Sequence, residues 1–303
     1  MKKSLLCCLA TALFCTAFAA AGEFVIGYSN MADTDVFIMK RMESFRDVVK
    51  QDPTIRTIYS DANADMNKQL DQIDNFLMQG VDMLLVVPVD SEGISSAVRK
   101  ANRAGVPVLC LGIDAKGGES TFIGSPNHDA GRQQGELMVK MLPQNAQILY
   151  LYGLHGNSHS IERWDSFKEN CLDKRPDVKL LASQTGDFLR DKGMKITEDW
   201  IQAFPKFDAI VSANDQMALG AIQALKVAGR LDGVLISGVD GVEDAVLAVK
   251  KGEMTQTILQ NAPGQAEAAF KAVQMYRKGE KLPKEIIVPF ESITIDNVDQ
   301  YMK

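Results

Sequence analysis

Three observations predict an α/β protein built as two doubly wound halves. Short apolar runs rich in β-formers alternate with amphipathic helical stretches along almost the whole chain. Each intervening helix is long enough to carry the chain back to a parallel neighbour. The alternation also completes one round, restarts after Asn127, and leaves a helix and two strands over at the end.

The first round opens on Phe24-Val25-Ile26-Gly27-Tyr28-Ser29, a strand. Residues 36–50 follow with Phe37, Met42, Phe45, Val48 and Val49 near helical spacing. Ile55 to Tyr59 is the second strand, and residues 65–79 place Met66, Leu70, Ile73, Phe76 and Leu77 on one helical face. Met83-Leu84-Leu85-Val86-Val87 reads as a buried strand ended by Pro88. A helix from about Glu92 to Ala104 stops at Gly105, and Pro107 to Leu111 is the next strand. The second round has helices near 128–142, 160–172, 191–203, 215–228 and 242–251. Its strands fall near 147–152, 178–184, 207–212, 233–238 and 255–258. Helix 262–278 and strands near 285–288 and 291–295 remain. They must complete sheets already built, so the chain crosses between lobes more than once.

The first 22 residues differ from the rest. Lys2 and Lys3 precede an apolar run from Leu5 to Phe18 and then Ala-rich small residues, the pattern of a cleavable export signal. The run is too short for a ~20-residue membrane span. Its loss would move the formal charge from −6 to −8, because it carries Lys2 and Lys3 and no acid. An acidic surface without a basic block argues against nucleic acid as a partner. Cys7, Cys8 and Cys15 would leave with the signal. Cys110 and Cys171 would stay, one on a strand and one on a helix of different lobes, which favours two buried unpaired thiols over a disulfide.

The residues that carry chemistry lie where strands end and helices begin. Ala213-Asn214-Asp215-Gln216-Met217 follows one apolar run, and Gly238-Val239-Asp240-Gly241 ends the next strand. In open α/β sheets, ligands bind in the crevice beyond the carboxyl ends of the strands. Asn and Asp are also favoured helix caps and turn residues, so each position has a structural reading beside the functional one.

With these residues laid out, the chain resembles the periplasmic sugar-binding proteins of the ribose- and galactose-binding type, the substrate-binding components of ABC importers. The resemblance rests on Leu181-Ala182-Ser183-Gln184 with Asp187-Phe188, on Asn214 to Ala221, on Gly238 to Gly241, on Ile258-Leu259-Gln260, and on Asp71-Gln72-Ile73-Asp74. It implies two Rossmann-like, doubly wound lobes joined by a three-segment hinge: 23–126 plus 261–290 and 127–260 plus 291–303, with crossings near Ser125–Asn127, Gln260–Ala262 and Phe290–Ser292. It also implies closure over a ligand like a hinged clam. By match, Asn214, Asp240, Gln260 and Arg163 would bind ligand hydroxyls. Phe188 and Phe37 would cover a ring face, and Asp35 would add an acid from the first loop. His159 occupies a position where the galactose branch has an acid. After the fourth strand, where the family carries Asp-Arg or Asn, this chain has Gly112-Ile113-Asp114. Either Asp114 reaches in from two positions later, or that hydroxyl contact is gone, and Trp164 is a candidate to replace a missing aromatic. These departures leave room for a pentose, hexose, inositol or alditol.

The partners implied are a small sugar or polyol, an ABC permease in the inner membrane, and for a signalling role a chemoreceptor or sensor. A periplasmic monomer without cofactor or metal is expected. Enzymes on this fold would carry a Gly-x-Gly-x-x-Gly turn, a P-loop or a Gly-x-Ser-x-Gly elbow, none of which is present. Repressors sharing the two-lobed core begin with a basic helix-turn-helix, whereas this chain begins with the signal-like segment.

Overall fold

Nearly every apolar run named above becomes a strand of one of two six-stranded sheets in the computed structural model, which describes residues 22–302. The export signal expected over 1–22 lies, but for Gly22, outside the described residues.

The first sheet contains β1 (Phe24–Asn30), β2 (Ile55–Asp61), β3 (Met83–Val86), β4 (Val108–Leu111), β5 (Thr121–Gly124) and β11 (Glu285–Ile287). Their order is β11-β5-β4-β3-β1-β2, and every pairing is parallel. The second sheet contains β6 (Gln147–Tyr152), β7 (Lys179–Thr185), β8 (Ala209–Ser212), β9 (Leu235–Asp240), β10 (Gln256–Leu259) and β12 (Glu291–Thr294). Its order is β12-β10-β9-β8-β6-β7, parallel except that β12 runs against β10. β5 is absent from the sequence reading: only Phe122 and Ile123 are apolar there, between a polar loop and Ser125-Pro126.

The central strands are apolar throughout because both faces are covered. On β3, Leu85 points into the core under α1 (Val36–Val49) and α9 (Ala262–Arg277). Leu84 and Val86 point into the core under α2 (Met66–Met78) and α3 (Ser95–Arg103). β6 repeats the scheme. Leu149 and Leu151 face α6 (Arg190–Ala203), α7 (Asp215–Val227) and α8 (Glu243–Lys250), whereas Ile148 and Tyr150 face α4 (Asn127–Met141) and α5 (Ser158–Phe167). α5 continues through a wide turn, Lys168–Leu172, which buries Cys171. Cys110 and Cys171 are both buried and unpaired, in different lobes.

Side-chain caps fix where several helices start. Asp35 accepts from the Ile38 amide, Asp65 from Asn67 and Lys68, Asn157 from His159, Asn214 from Met217, and Asn261 from Gly264. Each cap satisfies amides that the helix itself leaves open. These five caps follow parallel strands, so the helix N-termini and strand ends collect on one edge of each sheet.

The chain passes between the sheets three times: after β5 into α4, after β10 into α9, and after β11 into β12. α9 packs on α1 and β5 of the first sheet. β12 begins at Glu291, so residues 288–290 span the last crossing. These returns account for the leftover helix and strands at the end of the sequence.

Candidate ligand cleft

Two walls of polar side chains face each other where the strand ends of the two sheets meet. The second-sheet wall is organised by Arg163 on α5, which is 2% exposed. Its position depends on close packing of α5 against α4. A Cβ on Gly131 would stand 2.2 Å from the Arg163 carbonyl oxygen, so only glycine allows that approach. The guanidinium donates from Nε to Asn127 Oδ1 at 3.1 Å, from Nη1 to the Ala213 carbonyl at 2.6 Å, and from Nη2 to Gln260 Oε1 at 3.2 Å. Asn127 and Gln260 flank two of the three crossings, so this one side chain ties the binding wall to the connecting segments.

Asp240 ends β9 with φ +127° and is followed by Gly241 at φ +69°. This left-handed pair turns the carboxylate out of the strand direction, a backbone state that L-residues rarely adopt and that clusters at functional sites. Asp240 is 8% exposed and lies 3.8 Å from Arg163 Nη1. Among the described residues, no donor makes a hydrogen bond to its carboxylate. Burial raises its pKa well above the usual carboxylate range, and the nearby Arg163 works against that shift. Gln260 gives its oxygen to Arg163 and keeps a buried Nε2 with no partner. A buried donor left unpaired costs about 1–3 kcal/mol, so a group that meets it gains that much.

Asn214 caps α7 through Oδ1, and its Nδ2 donates to the Phe188 carbonyl at 3.1 Å. The cap reading and a ligand role coexist, since one amide proton stays free. Asp215 turns the other way. It accepts from Thr257 Oγ1 at 2.8 Å and from the Val242 amide at 3.0 Å, holding the loop after β9 to β10, and burial lifts its pKa to about 6. Phe188 adopts φ +62°, an outlier for a bulky residue, with its ring over Gly153 beside Ser160 Oγ. The strained residue thus presents an aromatic face where three strand ends converge.

His159 reaches across to the first lobe: its Nε2 lies 3.1 Å from the Gly112 carbonyl oxygen. A carbonyl can only accept, so Nε2 carries the proton and Nδ1 is left as an acceptor. Burial, followed by the charges of Arg163 and Arg41, pushes the imidazole pKa down to about 3 and keeps it neutral.

On the first-sheet wall, Asp35 caps α1, and burial raises its pKa. Phe37 is 7% exposed; it belongs to the first-lobe core and also lines a groove of about 910 Å³ between α1 and α8, with Asp240 and Gln260. Sequence reasoning missed Arg41. It is 1% exposed and donates from Nη1 to Gln265 Oε1 at 2.9 Å, and its Nε has no partner. The signal was legible: 37, 41 and 45 share one face of α1, and two of the three are core phenylalanines.

Two expectations are corrected. Asp114 is exposed and turns into its own loop, accepting from the Ala115 amide and from Ser120 Oγ at 3.0 Å. Its surroundings are a separate small cavity of about 220 Å³ with Asn127, Glu162 and Lys284. Trp164 packs edge-on against Tyr150 at 4.7 Å and near Phe167, within the second-lobe core. Adjacent helical residues point about 100° apart, so Arg163 in the cleft sends Trp164 into the core. In the Asp71-Gln72-Ile73-Asp74 stretch, Gln72 donates to the Asp61 carbonyl at 2.7 Å and Asp74 pairs with Lys100.

Two parallel-sheet lobes, three crossings and polar walls at the strand ends define a two-lobed small-molecule binding protein. Residues 26–281 match the periplasmic binding protein domain family. The chain is 35% identical over 271 residues to the xylitol-binding protein of Mycolicibacterium smegmatis, covering 88% of this chain and 76% of that one. It is 31% identical over 270 residues to the ribose import binding protein of Bacillus subtilis, covering 89% and 87%. A solved ABC transporter solute-binding protein from Bacillus halodurans with bound myo-inositol superposes with a TM-score of 0.88 at 30% identity, over 93% and 98% of the two chains. The chain belongs to the periplasmic binding protein family.

Proposed function

We propose that this chain is the substrate-binding component of an ABC importer. It captures a monosaccharide or related polyol in the periplasm and hands it to an inner-membrane permease. It is a binding protein and not an enzyme. The observation that carries this reading is the buried Asp240 carboxylate, which has Arg163 beside it and no hydrogen-bond donor among the described residues. A hydroxyl supplies the missing donor, and its oxygen can in turn accept from the free Nε2 of Gln260. Polyols offer several such hydroxyls, and Phe188 and Phe37 supply faces for C–H surfaces. Relatives named for xylitol, ribose and bound myo-inositol support the same chemical class.

The moving bodies are 23–126 plus 261–290 and 127–260 plus 291–303. Closure follows from binding because the two walls meet one ligand only in the closed state. Purified protein tested by thermal shift against pentoses, hexoses, inositols and alditols should show a raised melting point with at least one of them, confirmed by calorimetric titration. No shift and no heat with any member of the panel would overturn the assignment.

A further inference from the structure

Arg41 is buried without a carboxylate within ion-pair distance among the described residues, although an isolated buried guanidinium is costly. Its guanidinium lies over the Phe37 ring and near the Tyr28 hydroxyl and donates to Gln265, which donates to Ser125 Oγ, and Ser125 donates to the Val288 carbonyl. Thus Arg41 is anchored to two crossings on the first-lobe side, as Arg163 is anchored to Asn127 and Gln260 on the second. Its guanidinium lies over the end of β4. A Cβ on Gly112 would stand 2.6 Å from Arg41 Nη1, and Gly112 itself is at φ +78°. No side chain fits there while Arg41 does. The Gly112 carbonyl is also the group His159 holds from across the cleft. Arg41 therefore sits at the seam where the two lobes touch, with its Nε–H unpaired.

We propose that Arg41 is a specificity-determining residue of the first-lobe wall, and that glycine at 112 is what admits its guanidinium to the ligand. This rests on the polyol-binding reading above. The strand end that lacks a side chain is filled from helix α1. Asp35 feels both guanidiniums, and Asp240 feels Arg163, then Asp215 and Asp35. With its Nε–H open, Arg41 selects a ligand that offers it a hydroxyl oxygen.

The test is a calorimetric cycle on the full mature chain. Wild type, Arg41→Gln, Arg41→Lys and Gly112→Ala are titrated with myo-inositol, xylitol, ribose and their available mono-deoxy analogues. Arg41→Gln and Gly112→Ala should each weaken binding about 30-fold or more, with Arg41→Lys in between. One deoxy position should cost the wild type about tenfold and cost Arg41→Gln nothing, a coupling that a merely structural arginine would not produce. If Arg41→Gln does not fold, Arg41→Lys is read in the same cycle. Equal deoxy penalties in wild type and a folded Arg41 variant at every position would overturn the proposal. Binding of no compound by the wild type would overturn the polyol-binding reading as well.

Discussion

Arg163 and Arg41 are both buried guanidiniums anchored near the crossings, yet their surroundings differ. Arg163 makes three hydrogen bonds within its own lobe and has Asp240 at 3.8 Å. Arg41 makes one, to Gln265, and leaves Nε open. The second-lobe wall is pre-organised before any ligand arrives, because protein groups already satisfy its central cation. The first-lobe wall is left incomplete, so a ligand finishes it. A preformed wall loses little on binding, whereas an incomplete one gives a ligand reason to draw the lobes together.

The strongest way to break this contrast is Arg163→Met. It removes the donor to Asn127, Ala213 and Gln260 and leaves Asp240 uncompensated. A loss of about 3–5 kcal/mol of stability is expected in a denaturant titration, together with loss of binding. A stability within 1 kcal/mol of wild type would show that the second wall is not pre-organised by Arg163.

Asp240→Asn keeps the shape but replaces one acceptor oxygen with a donor. Affinity should fall by about 2–4 kcal/mol by calorimetry with stability nearly unchanged. Near-wild-type affinity would remove Asp240 from the site.

The His159 bridge to Gly112 joins the two walls and makes their closure pH-dependent. With His159 held against the Gly112 carbonyl, the imidazole pKa is pushed down to about 3 by burial and by Arg163 and Arg41. In an open, hydrated cleft it returns to about 6.5. The neutral ring therefore favours closure above pH ~6.5, and that contribution is lost as pH falls below it, by up to about 1.4 kcal/mol per unit. Asp35 and Asp240, whose pKa values burial raises, slope the opposite way. The informative quantity is thus the difference between wild type and His159→Gln. Between pH 7.5 and 5.5 the wild type should lose about tenfold more affinity than the variant. Parallel pH profiles would show that the bridge does not contribute to closure.

The smallest effects are expected where the sequence reading was corrected. Asp114→Asn should leave affinity within about 0.5 kcal/mol, as for most surface changes. Trp164→Phe should do the same while costing about 1 kcal/mol of stability through lost packing against Tyr150. A large affinity loss in either would return that residue to the cleft.

Legibility followed the range of the interactions. Strand runs, helix faces and the Asn214 and Asp240 strand ends were readable because periodicity and turn chemistry act within a few residues. Asp114 and Trp164 were misread because position along the chain does not fix the direction of a side chain. Asp114 has a nearer partner in Ser120, and Trp164 is turned from the cleft by the helix that aims Arg163 into it. β5 was not legible because only Phe122 and Ile123 mark it in the sequence, and its pairing with β4 and β11 makes it a strand.

The sequence by itself determined the two-round α/β architecture and the leftover tail that must return to sheets already built. It also supplied the strand-end polar residues that mark a crevice. Only the tertiary structure decided that Gly112 is occupied from α1 by Arg41, that His159 spans the seam, and that Asp240 is left without a donor. These outcomes depend on groups tens to hundreds of residues apart competing for one buried space, where each unpaired polar atom is costly and the packing settles which of them a ligand must satisfy.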